Sequence, residues 1–413
     1  MESARLIAGL TRMLRDVGLA EELAQDALIT ALEHWPNDGV PDNPGAWLMA
    51  TAKRRAIDEL RRNKRLSRKH EELGHELEAD ALADSQGLLQ RLEDKLDDEV
   101  GDDLLRLLFI SCHPVLSMEA RVALTLRLLG GLTTDEIARA FLVPEPTIAQ
   151  RIVRAKRTLA EAQVVFEVPR GAELAARLSS VLGVIYLIFN EGYSATAGDD
   201  LMRPGLCEDA LRLGRVLAEL SPNEPEVHGL VALMELQASR AKARVGPTGE
   251  AILLLEQNRA RWDQLLIRRG LAALERAQRL GGAEGPYTLQ AAIAACHARA
   301  RTAQQTDWQL IAALYAVLTV QTQSPIVELN RAVAVSMADG PAQALRIVDE
   351  LRSEPALASY HLLPSVRGDL LEKLDRRAEA AQEFDRAASL TKNAREREVL
   401  LGRAAACRRG AAM

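Results

Sequence analysis

Aromatic residues are scarce in this chain: five Phe, five Tyr and four Trp among 413 residues. Alternating β-branched runs are few as well, so little of the sequence reads as sheet. Cysteine is limited to Cys112, Cys207, Cys296 and Cys407, scattered without a CxxC pair. That scatter offers no metal-ligand spacing and fits reduced thiols in a cytosolic protein. The seven histidines are dispersed, and P-loop, GxSxG and HExxH patterns are absent. No catalytic constellation stands out, so neither enzymatic activity nor a cofactor or metal is expected. The first ten residues carry no basic-then-apolar signal pattern, and no run of about 18 apolar residues occurs. The expectation is a soluble, cytoplasmic chain with no membrane partner. Net charge is −6, so the total points to no nucleic-acid partner; the distribution of charge matters more than its sum.

What is abundant is Ala, Leu, Arg and Glu, within 48% hydrophobic and 27% charged residues. This predicts an all-α chain long enough for two or more domains. Residues 104–163 have the cadence of a helix-turn-helix. A short helix is expected from Asp135 to Leu142, a break at Val143-Pro144, and a longer helix from Glu145 to Ala162. Thr133 and Glu136 have the spacing of a capping box, in which hydroxyl and carboxylate satisfy two orphan amides. Ile148, Ile152, Ala155 and Leu159 recur at helical spacing as a buried stripe. Thr147, Gln150, Arg151, Arg154 and Arg157 fall on the opposite side, suited to base edges and phosphates in a major groove. An ordinary amphipathic hairpin with a solvated basic face reads the same way. Before it, a helix from Leu116 is expected to start at a Ser117 cap and stop at Gly130-Gly131. Cys112-His113, without further ligands, reads as structural.

Residues 1–70 begin with a helix over Ser3–Val17 that Gly18 breaks. A second, over Ala20–Trp35, has Leu23, Ala27, Ala31 and Trp35 on its core side and Glu22, Gln25, Asp26 and Glu33 outside. Pro36 to Gly45 reads as a loop. The helix that restarts near Ala46 packs Trp47, Leu48, Ala52, Ile57 and Leu60 inward. From 51 to 70 it carries nine basic residues against Asp58 and Glu59. A charge run is usually a solvated face, but such a stripe also neutralises phosphates.

The order DA-x(4)-L, a Pro/Gly loop, WL-x(3)-A-x-R-x(3)-D-x(2)-RR and a basic helix-turn-helix resembles a bacterial sigma factor of the extracytoplasmic-function group. The matching residues are Asp26, Ala27, Leu32, Trp47, Leu48, Ala52, Arg54, Asp58, Arg61 and Arg62. The resemblance implies that Glu22, Gln25, Asp26 and Glu33 dock on the β′ clamp helices of core RNA polymerase, whose β subunit is a further expected partner. It implies that Lys53, Arg54, Arg55, Asp58, Arg61 and Arg62 open the promoter −10 element, and that residues 37–46 receive a flipped base. Thr147, Gln150, Arg151, Arg154 and Arg157 would read the −35 element. Pro144 departs from the family's usual Ser cap; with Pro146 it is tolerated in a first turn, where amides lack acceptors.

Residues 71–103 hold thirteen acidic residues against Arg91 and Lys95, with Gly74, Gly87 and Gly101 interrupting any long helix and a short one possible over Leu88–Leu96. They read either as a solvated linker or, from the resemblance, as a strand for the polymerase RNA-exit path. Either way they tether two basic modules.

Residues 166–413 show weak 34-residue periodicity of TPR type. The clearest unit is 361–394, with Gly368, Leu371, Ala380, Phe384 and Ala387 at the small/large positions of a helix pair. Ala344, Val348 and Leu351 echo it, as do Ala210, Gly214, Leu217 and Pro222; Trp308, Ile311, Ala312 and Tyr315 look like another helix face. A plain helical bundle is the alternative. Asn190-Glu191-Gly192-Tyr193, where Gly192 can end an apolar helix, reads as a helix cap or as a buried polar contact between this extension and the sigma-like part. Sigma factors with a C-terminal TPR-like extension carry the same four residues. The expected domains are 1–70, the linker 71–103, 104–165 and 166–413. The expected function is promoter recognition as an alternative sigma factor whose extension regulates it and takes a peptide or protein ligand. The alternative is a helix-turn-helix activator that senses a peptide and never joins the polymerase.

Overall fold

The computed structural model describes residues 2–71, 96–141, 143–169, 171–194, 202–246 and 250–411. Among them the regular structure is helical, apart from an isolated bridge between Val245 and Ala251. The chain divides into two compact units, Met1–Val184 and Ile185–Met413.

The N-terminal unit opens with α1 (Glu2–Leu14), α2 (Val17–Asp38) and α3 (Pro44–Glu71). The break between α1 and α2 lies at Arg15, not Gly18: Arg15 takes φ 54°. Asp16 then caps α2, its carboxylate accepting from the Gly18 and Leu19 amides at 2.7 and 3.0 Å. Asp16 thus supplies the acceptor that the first-turn amides lack, and Gly18 is simply helical. The expected loop over 36–45 is also shorter. α2 runs through Pro36 and stops at Gly39, which takes φ 83°; the Asn43 side chain accepts from the Ala46 amide as α3 begins.

α4 (Leu96–Ser111) follows, so the acidic stretch is partly helix and Gly101 does not interrupt it. Asp103 is buried, 2.7 Å from Arg106 and 3.5 Å from Arg12. The rest of that stretch, 72–95 with Gly74, Gly87 and most of the expected short helix, lies outside the described residues. α5 (Met118–Thr125) is capped by Ser117 and passes into a π turn, Leu126–Gly130, closed by Gly131 at φ 75°. α6 (Thr134–Phe141) and α7 (Glu145–Glu161) complete the helix-turn-helix. α1 packs against α2 and α3 on one side and against α4 and the π turn on the other. Both expected modules therefore share one core, built on Leu6, Ile7, Leu10, Leu107, Leu108 and Leu128.

The chain passes between units within α8 (Ala172–Tyr193). Its first half belongs to the N-terminal unit: Arg177 donates to the Phe109 carbonyl and Ser180 to the Cys112 carbonyl, at 2.9 and 2.8 Å. By length and composition its residues Glu173–Tyr193 could cross a membrane. Leu178, Val181, Leu182, Ile185, Ile188 and Phe189 are nevertheless buried inside the protein.

The C-terminal unit continues with α9 (Pro204–Leu220), α10 (Pro225–Ala238), α11 (Gln264–Arg279), α12 (Pro286–Arg299), α13 (Trp308–Thr322) and α14 (Pro325–Ala338). α15 (Pro341–Leu351), α16 (Leu362–Lys373), α17 (Arg377–Leu390) and α18 (Ala394–Ala411) follow. Each helix packs on the next, the arrangement of a TPR-like helical repeat. α16 and α17 form the pair read from the 34-residue pattern. Leu371, Ala380, Phe384 and Ala387 are fully buried, and a Cβ on Gly368 would lie 2.8 Å from the Phe384 ring. α9 meets α10 by the same device, with Gly214 facing Met234.

Candidate nucleic-acid interface

The capping box forms as its spacing predicts. The Thr133 amide donates to Glu136 Oε2 at 2.7 Å, and the Glu136 amide to Thr133 Oγ1 at 3.2 Å. α6 packs against α7, whose Ile148, Ile152, Ala155 and Leu159 are all buried. Burying that stripe turns the opposite face outward: Gln150, Arg154 and Arg157 are exposed, and Thr147 and Arg151 half-buried. Arg157 pairs with Glu161 at 2.6 Å, one turn on, an exposed pair that a phosphate can exchange at little cost. Pro144 caps α7 without a side-chain bond, and Pro146 stands in its first turn.

The second basic surface is on α3. Leu48, Ala52 and Ala56 are buried, leaving Arg54, Arg55 and Asp58 exposed and Lys53 half-buried. Arg61 and Arg62 continue the helix, beyond the residues whose side chains are described. Arg55 lies 2.9 Å from Asp26 on α2 and donates to Thr30 Oγ1 at 2.8 Å. One expected polymerase contact is therefore bonded to one expected DNA contact. Trp35 and Trp47 stand edge to face, 5.5 Å apart, at the two ends of the loop between α2 and α3.

On α2, Glu22, Gln25 and Glu33 are exposed and Asp26 half-buried. Beside them Ile29 and Leu32 are 53% and 76% exposed, an apolar component that the charge pattern did not reveal; Leu32 was visible only through its place in the DA-x(4)-L motif. The residue that sequence reasoning missed altogether is Glu21. It is buried, and its Oε1 accepts from Arg127 at 2.6 Å and from Gln25 at 2.8 Å. Oε2 stands in ion-pair contact with Lys156 of α7 without the geometry of a hydrogen bond. An open cleft of about 290 Å³ runs along this seam, lined by Glu21, Glu22, Gln25, Arg127, Val153 and Lys156 among others. In sequence Glu21 is one acid beside another; only burial distinguishes it.

Cys112 and His113 hold structural positions. The Cys112 thiol lies 3.4 Å from the Thr125 hydroxyl, and burial pushes it up to about 11. His113 Nδ1 accepts from the Val115 amide at 3.2 Å, closing the turn after α4. Among the described residues no group of three His, Cys, Asp or Glu is placed to hold a metal.

Asn190 to Tyr193 form the last turn of α8, and Gly192 does not break it. A Cβ on Gly192 would lie 2.6 Å from the Cys207 amide nitrogen, so glycine permits the close approach of α9. Glu191 pairs with Arg203, and the Tyr193 hydroxyl accepts from Arg240 at 2.8 Å. The partners of this motif given by the structure thus lie within the C-terminal unit itself.

Residues 2–66 match the family described as Sigma-70 region 2, and residues 106–159 match Sigma-70, region 4. Residues 177–278 match a family of unknown function, DUF6596. Uncharacterized protein R00370 of Rhizobium meliloti (strain 1021) is 44% identical over 94% of this chain and 90% of its own length. The ECF RNA polymerase sigma factor SigK of Mycobacterium ulcerans (strain Agy99) is 30% identical, over 38% of this chain and 78% of its own. SigK of Mycobacterium sp. (strain KMS) is 31% identical over 36% and 72%. Among solved structures, yeast Tom70 aligns over 96% of this chain and 82% of its own, at 10% identity and a TM-score of 0.39. With both sigma regions matched in order, and relatives of this kind spanned over most of their length, the chain belongs to the ECF group of RNA polymerase sigma factors.

Proposed function

We propose that the protein joins core RNA polymerase and directs it to promoters, with α7 reading the −35 element and α3 opening the −10 element. The observation that carries this is α7: a buried apolar stripe locks the helix in place and leaves Gln150, Arg154 and Arg157 exposed on one face. Thr147 and Arg151 border that face. A helix so held presents its side chains to base edges without first paying to order its backbone. On α3, Lys53, Arg54, Arg55 and Asp58 with Arg61 and Arg62 form the melting surface. The Trp35–Trp47 pair frames a loop where an extruded base can lodge.

Glu22, Gln25, Asp26 and Glu33 form the polymerase face, on the β′ clamp helices, with Ile29 and Leu32 adding the apolar area that exposed charges alone do not supply. Because Gln25 and Glu22 border the seam with α7, loading of polymerase on this face competes with the Glu21–Lys156 contact. The C-terminal repeat regulates the cycle through a ligand of its own, its covalent attachment giving it high local concentration. Protein of this kind works in the cytoplasm and has no catalytic role.

Run-off transcription with purified core enzyme tests the reading: the full chain should direct specific initiation that core alone does not. Specific promoter binding without any copurification with core polymerase would instead favour an activator that stays outside the holoenzyme.

A further inference from the structure

The C-terminal unit gathers aromatic rings that the chain otherwise uses sparingly. All five tyrosines, Tyr186, Tyr193, Tyr287, Tyr315 and Tyr360, belong to it. Tyr186 and Tyr287 meet edge to face at 5.4 Å. Trp262 and Tyr193 carry guanidinium groups on their faces: Arg244 lies 3.8 Å from the Tyr193 centroid, and Arg259 lies 5.0 Å from that of Trp262. Arg240 bridges the two rings, 5.8 Å from each. Stacking a guanidinium on a ring spends its face and leaves its in-plane N–H edges for other partners.

Those edges are largely unspent. A guanidinium offers five N–H donors. Arg240 gives one bond, to the Tyr193 hydroxyl, and Arg244 one, to the Tyr193 carbonyl. Neither has a carboxylate partner among the described residues, nor has Arg259, whose bonds go to the His297 and Ala300 carbonyls and the Thr306 hydroxyl. The carboxylate whose charge reaches Arg244 is Glu396, and it is already engaged with Thr391 and His361. No nitrogen of Arg240 or Arg244 is buried without a partner, so their spare donors reach solvent.

A second observation is independent of the arginine edges. Trp262 Nε1, His297 Nδ1 and Arg259 Nε are buried and have no hydrogen-bond partner among the described residues, with Trp262 3% and His297 8% exposed. Buried polar atoms are normally bonded, and three around one pair of rings is unusual. Burial first, then the Arg240 charge, lowers the pKa of Arg244, Arg259 and His297 alike. The shared direction marks a partly desolvated place with uncompensated positive charge.

We propose that the cluster of Arg240, Arg244, Arg259, Trp262 and His297 is a binding site for a small oxyanion carrying two or more carboxylate or phosphate groups. Planar, doubly donating edges fit such groups bidentately. The half-buried position of Arg240 and Arg244 against rings suits a compact ligand better than a nucleic-acid backbone. The proposal goes beyond the regulatory reading above and does not depend on it.

Isothermal titration of the full chain with citrate and with pyrophosphate, at ionic strength matched by KCl, tests it. One saturable site for either anion is expected; citrate alone would assign carboxylate chemistry, pyrophosphate alone phosphate chemistry. Arg240→Gln should weaken binding by roughly tenfold or more, the size of one lost charged hydrogen bond. Arg259→Gln provides a second reading if the first variant melts early, and exposed Arg261→Gln should bind as the parent does. Absence of binding by both anions, unchanged affinity in both cluster variants, or equal loss in Arg261→Gln would overturn the proposal.

Discussion

Gly192 and His297 show what single positions do in this protein. An alanine at 192 would press its Cβ onto the Cys207 amide nitrogen, the thiol and Leu206, all within 2.9 Å. Backbone cannot yield as a flexible side chain can, so Gly192→Ala should destabilise the chain by about 2 kcal/mol, measured by urea denaturation. His297 has its pKa pushed down to about 4 by burial and then by Arg240 and Arg259. The unfolded chain would bind a proton near pH 6.5 that the folded chain refuses until about 4. Stability is therefore full above pH 6.5 and falls as pH drops towards 4, by up to about 3 kcal/mol for this group. Unfolding free energies of His297→Gln between pH 7 and 4 should show a slope shallower by that amount than the parent's. Neither residue was legible in this role. The sequence shows a glycine near a helix end and an isolated histidine, and what decides each is the packing brought to it from α9 and from Arg240.

Among elements, α6 and α7 were the most legible. Thr133 and Glu136 at capping-box spacing and four apolar residues at helical spacing are local signals, and local signals survive without tertiary context. Thr133→Ala should cost about 1 kcal/mol, read as a lower urea midpoint with an unchanged m-value. The seam between α2 and α7 was not legible, because Glu21 joins Arg127 and Lys156 across more than a hundred residues. Glu21→Ala would strand two partly shielded cations and should cost about 2 kcal/mol. Glu21→Gln would keep the Arg127 bond while losing the charge, and should cost less.

At the scale of the molecule, the proposed polymerase and promoter surfaces make separable predictions. Arg154 is exposed on the outer face of α7. Arg154→Ala should therefore reduce the slope of log affinity against log salt by about 1 if it meets a phosphate. Asp26 is bonded to Arg55, so reversing its charge would disturb α3 as well. Glu33→Lys is the cleaner test of polymerase docking, and should lower copurification with core enzyme while leaving DNA affinity unchanged. The extension can be assessed by shortening the chain. An end at Phe166 would strip Arg177 and Ser180 from Phe109 and Cys112, and should melt earlier than an end at Val184. If the shorter chain ending at Val184 transcribes just as the full chain does under every condition, the regulatory reading fails.

The sequence by itself determined the all-α class, the helix-turn-helix, the two basic helix faces and the repeat pairing of α16 with α17. Each of these is written in spacing along one or two neighbouring segments, where the chain's own periodicity sets which side chains share a face. The tertiary structure alone decided that the two sigma modules share a core, that Glu21 is buried between Arg127 and Lys156, and that Arg240 bridges Tyr193 and Trp262. Those depend on burial and on charges met across long loops, and a local pattern carries no information about which distant residue will arrive. The helix-turn-helix is accordingly legible as a fold element from its own sixty residues, while its contact with α2 is a property of the folded chain.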